Sequence, residues 1–395
     1  MKKYKIGIVT PTFPPKGGGI ATSHYNIYQL LKEHHDIKVF AYNDWREKNE
    51  DKAIKRKTPS WLLPILKLGI KLYLRKYGKS FQYTNVIRII SHSIGVWLLN
   101  KPLKKFNPDF LIVPDNNVPL YWIKKRDYKI IWFAHHNYAR FRNNPLIEYS
   151  NPIDIDIACS MERRAIKKAD FILAPSNYMI KFLKSNMQID KDCAVINNFI
   201  NIQIKDPSNQ NFSSSTRQIV YIPSGGTNAK GERYVFEIIR RIALAFNNKI
   251  SFIISGHISI ELRFEINHLN KNISVEYPDQ LLWEENFQLL KQCTIVIAPT
   301  LIENYSNALV EALSLGKPVV TFDVGGNNEI IDNNENGYIV PYLDIDQLIE
   351  KSLFLLNNEL TCRKFSQNAL SKARKLADSS LLFDKYQEVF NHLDS

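Results

Sequence analysis

Three features of the sequence predict an α/β fold of two doubly wound, Rossmann-like domains facing a cleft. Short β-branched runs alternate with stretches of helical apolar spacing through both halves of the chain. A polar segment at 201–217, containing DPSNQNFSSST, separates the two series and has the composition of an inter-domain linker. At 395 residues the chain is also too long for one ordinary core. The expected boundaries are 1–200, the linker 201–217, then 218–378, with a last helix over 379–395.

Composition narrows the class. An apolar share of 45% with only 15 glycines describes a globular protein, not a disordered or fibrous one. Cys159, Cys193, Cys293 and Cys362 lie far apart without a C-x-x-C pair. That pattern indicates neither a zinc site nor a disulfide framework and suits a reducing compartment. The opening MKKYKIGIVTPTFPP has a basic start, but its apolar run is short and ends in prolines, so it reads as a strand and not a signal peptide. No run reaches the roughly 18 uncharged apolar residues of a membrane span, and a cytoplasmic protein is expected. The formal charge of +13 is mostly local: residues 48–105 hold 14 Lys and Arg against Glu50 and Asp51.

Taken in order, residues 6–9 form a buried first strand. A loop ending in three glycines follows, and Ala21, Tyr25, Ile27, Tyr28, Leu30 and Leu31 then mark a helix. Gly18 and Gly19 would let an anion approach backbone N–H groups at the start of that helix, although the spacing is not G-x-G-x-x-G. Residues 38–42 are the second strand, after which 45–105 interrupts the alternation. Inside the interruption, Lys67, Lys71, Arg75 and Lys79 stand four apart along 61–79, and Leu and Ile fill most of the remainder. This is the pattern of a basic amphipathic helix on an anionic membrane surface, with Leu66 and Ile70 among the inserting side chains. Trp61, Tyr73, Tyr77, Phe81 and Tyr83 also fit a nucleic-acid groove, but the continuous Leu/Ile face argues against one, and no nucleic acid is expected.

Strands resume at 109–113 and 129–133, with a helix through Tyr121 and Ile123 between them. His135 and His136 follow the second strand at its carboxyl end, where ligands of open parallel sheets collect. Residues 169–175 and 194–196 complete the first series. The second series starts with QIVYI at 218–222, runs into PSGGTNAKGERYVFEIIRRI, and adds strands at 249–254 and 273–277.

The most informative stretch is 298–326, APTLIENYSNALVEALSLGKPVVTFDVGG. Ile295, Val296 and Ile297 end a buried strand, and Ser306 or Asn307 caps a helix carrying Ala308, Leu309, Ala312, Leu313 and Leu315. Gly316 stops the helix, Pro318 forbids its continuation, and Val319, Val320 and Phe322 form the next strand. Glu303 lies in the loop and Glu311 in the second helical turn. Tyr305, Ser306 and Asn307 present backbone N–H groups at a helix N-terminus, a seat for phosphate. A carboxylate beside such a seat needs hydroxyls to accept from. A sugar joined to a nucleoside diphosphate supplies both groups.

The order Glu303, seven residues, Glu311-Ala312, Gly316-Lys317-Pro318-Val319 and Gly325-Gly326-x-x-Glu329 resembles the donor-binding signature of retaining GT-B glycosyltransferases of family 4, the glycosyl transferases group 1. The resemblance is strong over 219–345, weaker over 1–40 and 129–200, and absent over 45–105. It implies the GT-B fold and transfer of a sugar from a nucleotide diphosphate-sugar co-substrate, a UDP-sugar favoured. The acceptor would be a hydroxyl of a glycan or lipid-linked molecule, with retention and with no metal or other cofactor. Cell-envelope polysaccharide or lipopolysaccharide synthesis on the inner membrane face is the expected setting.

By the same resemblance, Gly18 and Gly19 meet the donor diphosphate, and His135, which aligns better than His136, faces the donor sugar. Lys230, with backbone N–H groups of Gly225 and Gly226, holds the diphosphate; Glu303 holds sugar hydroxyls and Glu311 the ribose. Ser176 and Asn198 match family positions at strand ends, although Phe199 replaces the usual Gly. Residues 380–393 resemble the helix that crosses back to the first domain. In one departure, the position of the family's Arg falls at Gly225, leaving Lys230 as the one side-chain cation of this segment for the diphosphate. Asp154-x-Asp156 and Asp344-x-Asp346 are nominal D-x-D pairs, read as structural acids and not as metal ligands. A GT-B nucleotide-sugar epimerase, a basic nucleic-acid-binding protein and a non-catalytic GT-B binding protein are the alternatives.

Overall fold

The computed structural model describes residues 2–13, 18–44, 53–74, 84–142, 146, 152–200, 218–223, 228–269, 273–278, 281 and 283–395. Gly225, Gly226, Arg75, Lys79 and the linker 201–217 fall outside them. The chain divides into two compact units, Met1–Asn201 with Ser379–Ser395, and Ile202–Asp378.

The first unit is built on a parallel sheet of β1 (Lys5–Thr10), β2 (Asp36–Ala41), β3 (Ala53–Lys55), β4 (Phe110–Pro114), β5 (Lys129–Phe133), β6 (Phe171–Ala174) and β7 (Cys193–Val195). Their order is β3-β2-β1-β4-β5-β6-β7. The strands read as continuous apolar runs because both sheet faces are covered. On one face Val9, Leu111, Val113, Ile130 and Trp132 pack with Ile89 and Ile155, which belong to helices α3 and α6 below. On the other, Ile8, Phe110, Ile112 and Ile131 pack with Ile27 and Leu31 of α1 (Gly19–Leu31) and with Leu382, Tyr386, Val389 and Phe390 of the terminal helix (Ser379–Asp394). Phe390 stacks on Phe110 at 4.8 Å, so the terminal helix is part of this unit's core.

The region that interrupts the sequence pattern is regular in structure. It contributes β3, paired to β2 with Ala53 opposite Val39, then α2 (Leu62–Leu74), α3 (Thr84–Leu98) and α4 (Asn100–Phe106). Three residues of strand are too few for periodicity to reveal. Beyond it lie α5 (Pro119–Trp122), α6 (Pro152–Ile166) and α7 (Asn177–Met187). Ile70 and Leu74 of α2 pack on Val86 of α3 and beside Ile153 and Ile157 of α6. Ile70 is therefore committed to the protein interior, which corrects its expected place among membrane-inserting residues.

The second unit has β8 (Gln218–Pro223), β9 (Ile250–Ser255), β10 (Ile273–Glu276), β11 (Ile295–Ala298), β12 (Val319–Phe322) and β13 (Gly337–Val340), all parallel, in the order β10-β9-β8-β11-β12-β13. Its helices are α8 (Glu232–Ala245), α9 (Ile260–Asn267), α10 (Trp283–Gln292), α11 (Asn307–Ser314), α12 (Asn327–Ile330), α13 (Ile345–Asn357) and α14 (Glu359–Leu376). In each sheet the chain order reverses once, between β1 and β4 and between β8 and β11. The crevice outside the carboxyl ends of strands at such a switch point is where open α/β sheets bind ligands.

The D-x-D acids have structural tasks. Asp154 accepts from the Asn85 and Val86 N–H groups at 2.8 Å, capping α3 from another helix, and Asp156 pairs with Arg142 at 2.7 Å. Asp344 caps α13 through the Gln347 N–H at 2.9 Å, and Asp346 pairs with Arg241 at 2.6 Å.

Candidate active site

In the second unit, Lys230 ends the short turn Asn228–Lys230 after β8, and Glu303 sits in the loop after β11. Because β8 and β11 are paired neighbours, the two residues leave the sheet side by side at its switch point. Lys230 Nζ donates to Glu303 Oε2 at 2.6 Å, and the Glu303 side chain is 14% exposed. The other carboxylate oxygen accepts from the Asn304 N–H at 3.0 Å.

The loop that carries Glu303 is fastened on both sides. Leu301 and Ile302 N–H groups donate to the Ala229 carbonyl at 2.9 and 3.2 Å, and the Gly326 N–H donates to Asn304 O at 2.8 Å. Two glycines permit this closeness. A Cβ on Gly231 (φ +79°) would lie 1.9 Å from the Pro299 carbonyl oxygen, and one on Gly325 (φ +62°) 2.0 Å from that of Glu303. Any side chain there would push the loop, and Glu303 with it, out of place.

Glu311 of α11 is buried and accepts from Trp283 Nε1 at 2.9 Å. Burial pushes its pKa up to about 7, with the indole bond opposing. The Tyr305 side chain is buried, its ring serves the core, and burial raises its phenol. Ser306 takes the N-cap position of α11 without a side-chain capping bond. The helix start is therefore held by the fastened loop rather than by the expected hydroxyl.

In the first unit the carboxyl ends of β4 and β5 carry Asp115 and His135. Asp115 is fully buried and accepts from the backbone N–H groups of His135 (3.0 Å), His136 (2.7 Å) and Asn137 (2.7 Å). Glu162 of α6, also fully buried, accepts from Asn137 Nδ2 at 3.0 Å and the Tyr138 N–H at 3.2 Å. Burial pushes Asp115 up to about 6 against its three N–H bonds, and pushes Glu162 well above the usual carboxyl range with help from the Asp115 charge. Two carboxyl groups thus hold one histidine loop from below.

The His135 ring lies 4.1 Å from that of Phe133 and 5.2 Å from that of His24 in α1. Burial lowers His135 well below its ordinary value and His24 to about 4, so both are neutral imidazoles at pH 7. His136 stacks against Phe141 at 4.7 Å and is lowered to about 3 by burial and by Arg140. Gly18 stands just before α1 with φ −91°, and a Cβ there would meet nothing within 4 Å. Sterics give no reason for glycine at that point. Gly19 is the first residue of α1. Ser176 caps α7 through the Met179 N–H at 3.1 Å, and Asn198 accepts from Ser23 Oγ at 2.9 Å, both structural bonds.

The structure thus joins Lys230 directly to Glu303, while His135 belongs to the other unit. It adds Asp115, Glu162, His24 and Trp283, which the sequence reading does not single out. Only Asp115 has a local signal, an acid at the end of a buried strand. Among the described residues, no three His, Cys, Asp or Glu side chains form a group able to hold a metal ion.

Comparison with known proteins bears on these features. The family profile described as Glycosyltransferase Family 4 matches residues 17–204, and that described as Glycosyl transferases group 1 matches residues 203–372. The poly(ribitol-phosphate) alpha-N-acetylglucosaminyltransferase of Staphylococcus aureus is 24% identical over 162 residues, which are 39% of this chain and only 31% of that protein. A Staphylococcus aureus TarM variant, solved in complex with Fondaparinux, alpha-GlcNAc-glycerol and UDP, superposes with a TM-score of 0.70 at 14% identity, covering 98% of this chain and 100% of that one. Anabaena HepE in complex with UDP-glucose gives a TM-score of 0.64 at 15% identity, with the same coverage of 98% and 100%. At these identities the structural likeness is one of fold. The two family profiles meet where the two units divide, and the chain belongs to the group 1, family 4 glycosyltransferases of GT-B architecture.

Proposed function

We propose that the chain is a retaining glycosyltransferase that moves a sugar from a nucleotide diphosphate-sugar, a UDP-sugar favoured, to a hydroxyl of a glycan or lipid-linked acceptor of the cell envelope. The Lys230–Glu303 pair carries this reading. It sets a cation and a fixed carboxylate at adjacent strand ends, beside the N-terminus of α11. Lys230 and that N-terminus suit a departing diphosphate, and Glu303 suits the sugar hydroxyls. Glu311, titrating near neutrality beside Trp283, can both donate to and accept from a ribose hydroxyl. The neutral His135, on its rigid loop, can meet the far side of the sugar without placing a charge there.

In the proposed step the bond from the anomeric carbon to the β-phosphate oxygen breaks. A bond to the acceptor oxygen forms on the same face, and the acceptor's proton goes to the leaving phosphate. UDP in the TarM variant and UDP-glucose in HepE support a uridine donor, and the polymer named in the Staphylococcus relative supports an envelope acceptor. Association with an anionic membrane belongs to the same reading. It is supported by the outward stripe of α2, where Ile65, Leu68 and Leu72 are exposed next to the exposed Lys67 and Lys71, and by the exposed Trp61 just before the helix. Arg75 and Lys79 of the expected basic stripe lie outside the described residues.

A thermal-shift screen of nucleotide-sugars, followed by a transfer assay with the stabilising donor, tests the reading. Glu303→Ala is expected to fold and to lower the transfer rate about 10²-fold or more, the order lost with one preorganised contact. A wild-type rate in that variant would reject the site. Release of a free, altered nucleotide-sugar without any acceptor would move the chain to the epimerase class.

A further inference from the structure

The first unit carries a recess of about 1000 Å³ that the proposed reaction does not use. Helix α4 lines it with Lys101, Lys104 and Lys105, and the sheet edge adds Lys38 of β2 and Arg56 just past β3. The loop leading into β5 adds Lys124 and Arg126. Among the described lining residues there is no acid. The lining also includes Ile54, Leu98 and Phe106, and the indole of Trp97 is 58% exposed. His135 follows β5, whereas Lys124 and Arg126 precede it, so this recess and the histidine loop sit at opposite ends of that strand.

A concavity lined by one sign of charge focuses its field and raises the local concentration of counter-ions. Arg56, Lys101, Lys104 and Lys105 are also cations of the basic region that the α2 stripe leaves unexplained. We infer that the recess binds a segment of a phosphate-bearing glycan or polyol chain, as a second anchor for an extended acceptor. Several cations suit phosphates on successive units, each pairing by charge-assisted contacts. The volume is at the upper end for a small-molecule pocket and leaves room for more than one such unit. A planar bilayer does not enter a concavity. Nucleic acid calls for a track of stacking aromatics, and Trp97 is the one exposed aromatic among the described lining residues. The role as acceptor anchor rests on the proposed transfer, but binding itself does not.

The test is direct binding of the full chain to poly(glycerol phosphate), read by calorimetry over a salt series. Wild type is expected to bind, with affinity falling as salt rises. A Lys101→Glu/Lys104→Glu/Lys105→Glu variant, changed only at exposed positions of α4, should bind about 10-fold or more weakly. Its log–log salt slope should flatten by about 0.7 for each lost contact, taking the single-strand value. A Lys167→Glu/Lys181→Glu/Lys184→Glu variant makes the same charge change at exposed positions elsewhere on the unit and should stay within about twofold of wild type. Equal losses in the two variants would reduce the effect to net charge and overturn the site. Tighter binding of an oligodeoxythymidine, or loss of phosphatidylglycerol-vesicle binding in the α4 variant alone, would overturn it in favour of nucleic acid or lipid. Transfer to a short neutral acceptor should be unchanged in the α4 variant while transfer to the phosphate polymer falls. Should wild type transfer nothing at all, the binding comparison still decides the recess separately from the reaction.

Discussion

Asp115 and Glu162 show how the histidine loop of the first unit depends on two fully buried acids. Their carboxyl groups bond the N–H groups and the Asn137 amide of the loop from His135 to Tyr138, so the position of His135 is inherited from theirs. Both are raised by burial, so the folded chain holds their protons to higher pH than the unfolded chain does. The stability tied to this is fully present at low pH and is lost as pH rises through about 6 for Asp115 and higher for Glu162. Glu162→Gln keeps an amide oxygen for the Asn137 and Tyr138 bonds and removes the ionisation. Its melting temperature is expected to fall less than that of wild type between about pH 5.5 and 8.5, and to exceed wild type at the alkaline end by a few degrees. Parallel profiles for the two proteins would assign the titration to other groups. Glu303 and Glu311 were legible in the sequence because an ordered signature contains them, and Lys230 because its own segment resembles the family's. Glu162 and Trp283 were not, since their roles arise only when α6 and α10 are folded against distant loops.

At the scale of elements, α2 is the instructive case. Ile65, Leu68 and Leu72 recur at 3 and 4 residues, which puts them on one side of the helix; they are 51–59% exposed, and Trp61, just before the helix, is 70% exposed. Ile70 and Leu74 point the opposite way into α3 and α6. The sequence revealed a basic amphipathic helix but not which apolar residues face inward, because α2 is apolar nearly all round. Most strands were easier to read, being apolar, β-branched runs buried on both faces, whereas the three-residue β3 escaped. The two faces of α2 should separate cleanly by mutation. Ile65→Ser/Leu68→Ser is expected to lose flotation with phosphatidylglycerol vesicles while melting like wild type. Ile70→Ser is expected to cost about 2 kcal/mol or more of stability, as deletion of a buried aliphatic side chain does. Undiminished flotation of the double variant would leave the outward stripe without a membrane role.

For the whole molecule, the question is how a leaving diphosphate is neutralised. The cation of the strand-end pair at the second switch point is Lys230, with the α11 N-terminus in the same loop as its partner Glu303, and the sequence has Gly225 where the family resemblance implies an Arg. The acids of the two nominal D-x-D pairs are engaged within the protein. Asp154 and Asp344 cap helices, and Asp156 and Asp346 pair with arginines. If the protein's own charges carry the step, transfer should be unchanged in excess EDTA. Lys230→Met should then lose at least about 10²-fold in kcat, because one preorganised cation facing developing negative charge is removed. Added Mg²⁺ should not restore it, since among the described residues no group of His, Cys, Asp or Glu able to seat the ion is present, and Glu303 loses the Lys230 ammonium with the mutation. An absolute requirement for Mg²⁺ or Mn²⁺ in wild type, or full rescue of Lys230→Met by either ion, would mean that a metal and not Lys230 takes up the diphosphate charge.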